Sequence, residues 1–261
     1  MREVRCFAGA RDSCTVLNSW AGTGTDTDLR TFWTLRAVVA GPIDARTGYL
    51  CDVKDLDRVL RQVVAPRLAA ASSSGAVSIT VLARAMQAGF SASAREWPKQ
   101  AALSSIELEL SPYTALSVQR EDTDMFQLTQ SFEFAAAHRL SCPGISDAEN
   151  ARLFGKCSNP HGHGHNYVLE VTVASSIDDR TGWVVELPQL DRTVRERVIA
   201  PFDHKNLNVE CADFARLNPT VENIARVIFD RLKDAVGPAR LARVRVWETP
   251  KTYAECSADD P

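Results

Sequence analysis

Five histidines carry the first hint of chemistry in this chain: His138, His161, His163, His165 and His204, all in its second half. Three of them lie in Cys157-Ser-Asn-Pro-His161-Gly-His163-Gly-His165-Asn-Tyr167, which runs straight into the apolar stretch Val168 to Val173. Residues two apart on a strand share a face, so His163 and His165 can offer two imidazoles to one ion. A third ligand has to come from another segment. His138 closes Phe132-Glu-Phe134-Ala-Ala-Ala-His138, whose alternation predicts a neighbouring strand that could bring it alongside. Three histidines with an open fourth position are the donor set of a catalytic zinc site, as distinct from a closed structural one. His161 has the same parity as His163, so periodicity alone leaves it open as a ligand.

Glu248 is the next residue out of place. It follows Val244 and Val246 at alternate positions, which puts a carboxylate on an otherwise apolar strand face. Such a group needs hydrogen-bond donors, from a ligand or from an arginine. Asn218-Pro219-Thr220 precedes an amphipathic run carrying Ile224, Ile228 and Leu232, so Thr220 reads as a helix N-cap.

The elements that must hold these residues are written twice. A shift of 134 residues lays Phe32 to Arg61 on Asn166 to Arg195, and Leu35, Val39, Ala40, Ile43, Asp44, Arg46, Thr47, Gly48, Leu56, Asp57, Arg58 and Arg61 meet identical partners. The chain therefore reads as a duplication. In each copy a strand-like run (Leu35 to Val39; Val168 to Val173) reaches a polar turn, IDARTG or IDDRTG, in the manner of a hairpin. A helical stretch follows, with Leu56, Leu60 and Val64 or Leu190, Val194 and Val198 on one face. Gly237-Pro238 ends the later helix of the second copy, and the closing strands are Ala242 to Trp247 and Ser105 to Glu109. The charged stretch Gln119 to Asp124 is the expected linker, which gives copies over 1–122 and 123–261.

Composition narrows the partners. At 261 residues, 45% hydrophobic and 24% charged, the chain can bury one large or two small cores. A net charge of -3, with no Lys/Arg run, offers no footprint for nucleic acid or an anionic membrane, so a small molecule is the expected partner. No apolar stretch reaches the length of a membrane span and Met1 to Ala10 has no signal-peptide core, which points to the cytoplasm. Seven scattered cysteines, none in a C-x-x-C arrangement, read as ordinary buried thiols unless a further argument singles one out.

The segments FEFAAAHRL, LFGKCSNPHGHGHNY, IDDRTGWVVEL, FDHKNLN, NPTVENIA and VRVWET resemble, in order and spacing, the successive signatures of the 6-pyruvoyl-tetrahydropterin synthases, over about residues 130 to 250. The resemblance implies an α+β chain of two tandem tunnelling-fold units, each a four-stranded antiparallel sheet with two helices on one face, built into barrels by homo-oligomerisation. It implies one zinc per chain on His138, His163 and His165, with His161 left as a pocket or surface residue. Cys157 matches the family's catalytic thiol, Asp203 and His204 the pair that tunes it, Glu248 the pterin anchor, and Thr220 and Glu222 further pocket positions. The implied reaction takes 7,8-dihydroneopterin triphosphate to 6-pyruvoyl-tetrahydropterin with loss of triphosphate. The related 6-carboxytetrahydropterin synthase is the alternative, although its usual thiol lies closer to the first histidine of the HGH pair. A non-catalytic pterin or purine scaffold is the alternative of another class. In the first copy Arg11, Leu29, Thr31, Thr23 and Leu110 align with His138, His163, His165, Cys157 and Glu248, so no zinc is expected there.

Overall fold

The computed structural model describes residues 2–5, 13–23, 32–72, 79–96, 102–178, 182–183 and 185–258. Its elements begin with β1 (Arg2–Arg5), β2 (Ser13–Thr23), β3 (Phe32–Pro42), α1 (Val53–Arg58), α2 (Ala65–Ser72), α3 (Ile79–Glu96), β4 (Ala102–Ser111), β5 (Thr114–Gln119) and β6 (Met125–His138). They continue with α4 (Asp147–Phe154), β7 (His163–Asp178), β8 (Gly182–Trp183), α5 (Leu187–Val194), α6 (Ala200–Phe202), β9 (Lys205–Asn206), α7 (Leu207–Glu210), α8 (Val221–Leu232), β10 (Arg240–Thr249) and β11 (Thr252–Ser257). By internal contacts the chain divides into Met1–Leu128 with Ser175–Val184, and Thr129–Ala174 with Val185–Pro261. This division falls within β6, and Phe126 belongs to the first core.

In the first unit β1 to β5 pair in chain order, all antiparallel. One face of β3 and β4 buries Leu35, Ala37, Val39, Ile106 and Leu108. Against it lie Leu56, Leu60 and Val64, fully buried at the spacing of four that the sequence displays, and Leu82, Met86 and Phe90 of α3. Each such side chain contributes about 1.5–3 kcal/mol by leaving water. The IDARTG turn follows from its residues: Asp44 accepts from the Arg46 and Thr47 amides, and Gly48 supplies a φ of 70°.

In the second unit the order is β6, β7, β10, β11, again antiparallel between β7, β10 and β11. Leu169, Val171, Val173, Val244 and Val246 are buried, as are Leu190, Val194, Val198, Ile224, Ile228 and Leu232 of the helical segments. α8 packs on β10 and β11. Thr220 caps it, accepting from the Asn223 amide at 3.3 Å. The IDDRTG turn falls partly outside the described residues.

Both units carry the same irregularities. Register shifts between Val38 and Val39 and between Leu241 and Arg243 leave Ser104 of β4 and Ala242 of β10 without a register partner on β3 and β7. Later shifts leave Leu110 and Glu248 at bulges of the same strands. Each first helix also passes through a π-helical turn, Val59–Val64 or Arg195–Ile199, before Pro66 or Pro201. A proline cannot donate to the carbonyl four residues back. In the second unit the Arg197 carbonyl that Pro201 leaves open accepts from the Arg231 guanidinium at 2.6 Å.

The hairpin of β2 and β3 has a different frame from the aligned sequence. β2 ends at Thr23, opposite Phe32, so the strand end corresponding to that of β6 lies near Thr23. Arg11 precedes β2 and lies outside the described residues, as do Leu29 and Thr31.

Candidate active site

β6 and β7 are neighbours in the second unit, and their ends bring three histidines together. On β6, Phe132, Phe134, Ala136 and His138 alternate into the interior, so His138 occupies a core position with no exposed surface. Its Nδ1 lies 2.7 Å from the Pro219 carbonyl oxygen. A carbonyl only accepts, so Nδ1 carries the proton and Nε2 keeps its lone pair. That Nε2 is 3.1 Å from Nε2 of His163. His165 completes the group, and one nitrogen from each ring lies within 4.8 Å of the others.

The arrangement fits a divalent cation. Two nitrogens bound to one tetrahedral ion at about 2.0–2.1 Å stand about 3.3 Å apart, close to the spacing seen for His138 and His163. His165 Nε2 is enclosed and finds no hydrogen-bond partner among the described residues. Burial holds the His138 and His165 imidazoles below the ordinary histidine range, which favours the neutral, ligating form. Gly162 makes the approach possible: at φ 72°, a Cβ there would come within 3.0 Å of the His138 carbonyl oxygen. His161 is exposed, its amide donating to Asn159, and it stands outside the group.

Glu248 reaches the same place from β10. Its Oε1 lies 3.5 Å from His138 Nε2 and 3.7 Å from His165 Nε2. Glu248 keeps the alternation of Val244 and Val246, which pair with Val171 and Leu169, and so comes to the side of the sheet that carries His165.

Cys157 sits in the 3₁₀ turn Gly155–Ser158, half-buried, and its carbonyl accepts from the Leu140 amide at 2.8 Å. Arg139 donates to the Ser158 carbonyl, and Asn208 bonds both the amide and the carbonyl of Arg139. The thiol segment is thereby tied to the end of β6, two residues past His138.

Asp203 Oδ2 lies 2.9 Å from His204 Nδ1, and the two residues clamp β6 together. Asp203 accepts from the Ala135 amide at 2.8 Å, and the His204 amide donates to the Ala135 carbonyl at 2.6 Å. The Ala135 bond, then His204, lowers the Asp203 pKa below the ordinary carboxylate range. His204 has a φ of 57°, a strained conformation for a residue with a Cβ, and the clamp holds it there. Its ring is 82% exposed. A cavity of about 460 Å³ opens beside His165, Asn166, His204 and Lys205, and Cys157 is not among its lining residues. Thr220 serves as the cap already described, and Glu222 is exposed on the first turn of α8.

Sequence reasoning missed three contributors. Pro219 acts through a backbone carbonyl, which no residue type announces. Asn208 was visible in FDHKNLN but not as the brace of Arg139. Tyr167 continues the parity of His163 and His165, and that signal was available; its ring stacks on Phe134 at 4.9 Å and meets His165 edge-on at 5.6 Å. Burial first, then Glu248 and Cys157, raise its pKa.

Comparison with known proteins bears on what this site belongs to. A family model described as 6-pyruvoyl tetrahydropterin synthase matches residues 127–259. The chain belongs to this family of lyases. Human 6-pyruvoyl tetrahydrobiopterin synthase is 44% identical over 123 residues, covering 47% of this chain and 85% of the relative. A 6-carboxy-5,6,7,8-tetrahydropterin synthase of Rickettsia typhi is 28% identical over 116 residues, covering 39% of this chain and 75% of the relative. The solved 6-pyruvoyl tetrahydropterin synthase of Caenorhabditis elegans aligns with a TM-score of 0.49 and 36% identity, over 52% of this chain and 96% of that one. Among the described residues no helix is long and apolar enough to cross a membrane.

Proposed function

We propose that the chain is a zinc-dependent pterin synthase that converts 7,8-dihydroneopterin triphosphate to 6-pyruvoyl-tetrahydropterin in the cytoplasm. The observation that carries this is the convergence of three imidazoles with Glu248 at one point. His138, His163 and His165 would hold the zinc. When bound, zinc supplies Lewis acidity to the hydroxyl and C–H protons of the substrate side chain. Cys157 moves protons there, and Glu248 accepts from the ring N–H and exocyclic amino groups as a two-point anchor. Thr220 and Glu222 border the ring pocket. Active sites between adjacent subunits of a homo-oligomer would let the exposed His204, oriented by Asp203, serve a Cys157 of another chain.

We read the first unit as a degenerate copy with a scaffold role. Support comes from the aligned identities, the matching bulges at Ser104 and Ala242 and at Leu110 and Glu248, and the matching π-helical turns. Incubating the purified, zinc-loaded protein with 7,8-dihydroneopterin triphosphate and weighing the product tests the reading. A 6-pyruvoyl product is expected. Release of acetaldehyde would assign the carboxy reaction instead, and binding without turnover would leave a pterin scaffold.

A further inference from the structure

Tyr167 is a buried residue beside the three histidines to which the reaction outlined above gives no task. It shares the face of His163 and His165 on β7. Its side chain has no exposed surface, and its hydroxyl finds no hydrogen-bond partner among the described residues. Buried hydroxyls in folded proteins nearly always have a partner, so one without needs a reason. The ring cannot swing to find one, being stacked on Phe134 with planes 15° apart and flanked by His165.

An acceptor must therefore come to the hydroxyl. Glu248 is suited to this: its flexible chain leaves Oε1 at 3.5 Å and 3.7 Å from two histidine nitrogens, longer than an ordinary hydrogen bond. The two residues meet at one ring: His165 lies edge-on to Tyr167 with centroids 5.6 Å apart, and its Nε2 is 3.7 Å from Glu248 Oε1. A phenol and a carboxylate form a strong, charge-assisted bond in an enclosed site.

We infer that Tyr167 is the positioning residue for Glu248: in the ligand-bound enzyme its hydroxyl donates to one carboxylate oxygen and turns the carboxylate from the histidines toward the pterin ring. The inference rests on the reading of Glu248 as the ring anchor.

The test uses the full, zinc-loaded chain and 7,8-dihydroneopterin as a non-reacting ring probe, with affinity read by fluorescence for the wild type, Tyr167→Phe, Glu248→Ala and the double variant. Tyr167→Phe should weaken binding about tenfold or more, the worth of a hydrogen bond to a charged group. Zinc content should hold, and Tm should hold or rise, because an unpartnered buried hydroxyl has gone. In the Glu248→Ala background the same change should have no further effect on binding. Affinity unchanged by Tyr167→Phe, or an equal loss with and without Glu248, overturns the inference and leaves the pterin reading standing. A loss of kcat at unchanged affinity also overturns it, since the hydroxyl would then act on Cys157. Failure of the wild type to bind the probe removes the pterin reading, and this inference with it.

Discussion

On β4 of the first unit a bulge carries Leu110, packed partly buried against the core; on β10 of the second, the corresponding bulge carries Glu248, beside two histidines. Register makes the correspondence firm, because Glu109 pairs with Thr34 as Trp247 pairs with Val168. The helical segments diverge likewise. In the first unit α2 runs on to Ser72, whereas in the second α6 stops at Phe202 and Asp203 and His204 bring the chain back to β6. Even the charges on the sheet face are exchanged: Arg36 on β3 meets Glu107 and Glu109 on β4, while Glu170 on β7 meets Arg245 on β10. The same bends and bulges thus serve packing in one unit and a polar site in the other. Geometry came with the scaffold, and chemistry depends on which side chains stand at its irregular positions.

The largest expected effects attack the site that only the second unit has. His163→Ala should remove the bound zinc and lower turnover by about 10³-fold or more, since several kcal/mol of transition-state stabilisation leave with it. Metal analysis of the wild type should give about one zinc per chain; two tightly held ions would break the contrast between the units. Cys157→Ala should lower kcat by about 10²–10⁴-fold while zinc content and ring affinity hold, as expected for loss of a proton-transfer group. Normal turnover would overturn its role.

The bulge pair gives a more moderate contrast. Glu248→Gln should weaken ring binding about 10–100-fold, because an amide presents a donor where the ring also donates. Leu110→Glu in the first unit should confer no second ring site, and it should destabilise by about 1–3 kcal/mol through burial of a carboxylate without donors. Stoichiometry from calorimetric titration and Tm check the two halves. A second bound ring per chain would show that the bulge alone suffices.

Much of this was legible in the residues. The spacing of Leu56, Leu60 and Val64 and of Ile224, Ile228 and Leu232 marked faces that are fully buried, and the alternation ending at His138 marked a strand that is present. Side-chain parity also put His163 and His165 on one face, where they stand together with His138, although parity alone left His161 open. What escaped were features without a residue signature. The Pro219 carbonyl that meets His138 and the Asn208 brace of Arg139 depend on where the backbone runs, which periodicity does not report.

The smallest effect concerns the exchanged charges and separates ion pairing from packing. Arg36 holds two carboxylates, but its side chain is 35% exposed and solvent screens the pairs, so Arg36→Ala should cost about 0–1 kcal/mol, less in high salt. Arg245 is 17% exposed, pairs with Glu170 and Glu255, and lies over the rings of Trp247 and Tyr253 at 5.7 and 4.8 Å. Arg245→Ala should cost about 1–2 kcal/mol, because cation–π contact and stem packing add to the pairs. Salt should erase the effect at Arg36 and leave most of that at Arg245. Urea denaturation at low and high salt checks this, and equal, equally screened losses would mean that the two charge ladders are interchangeable.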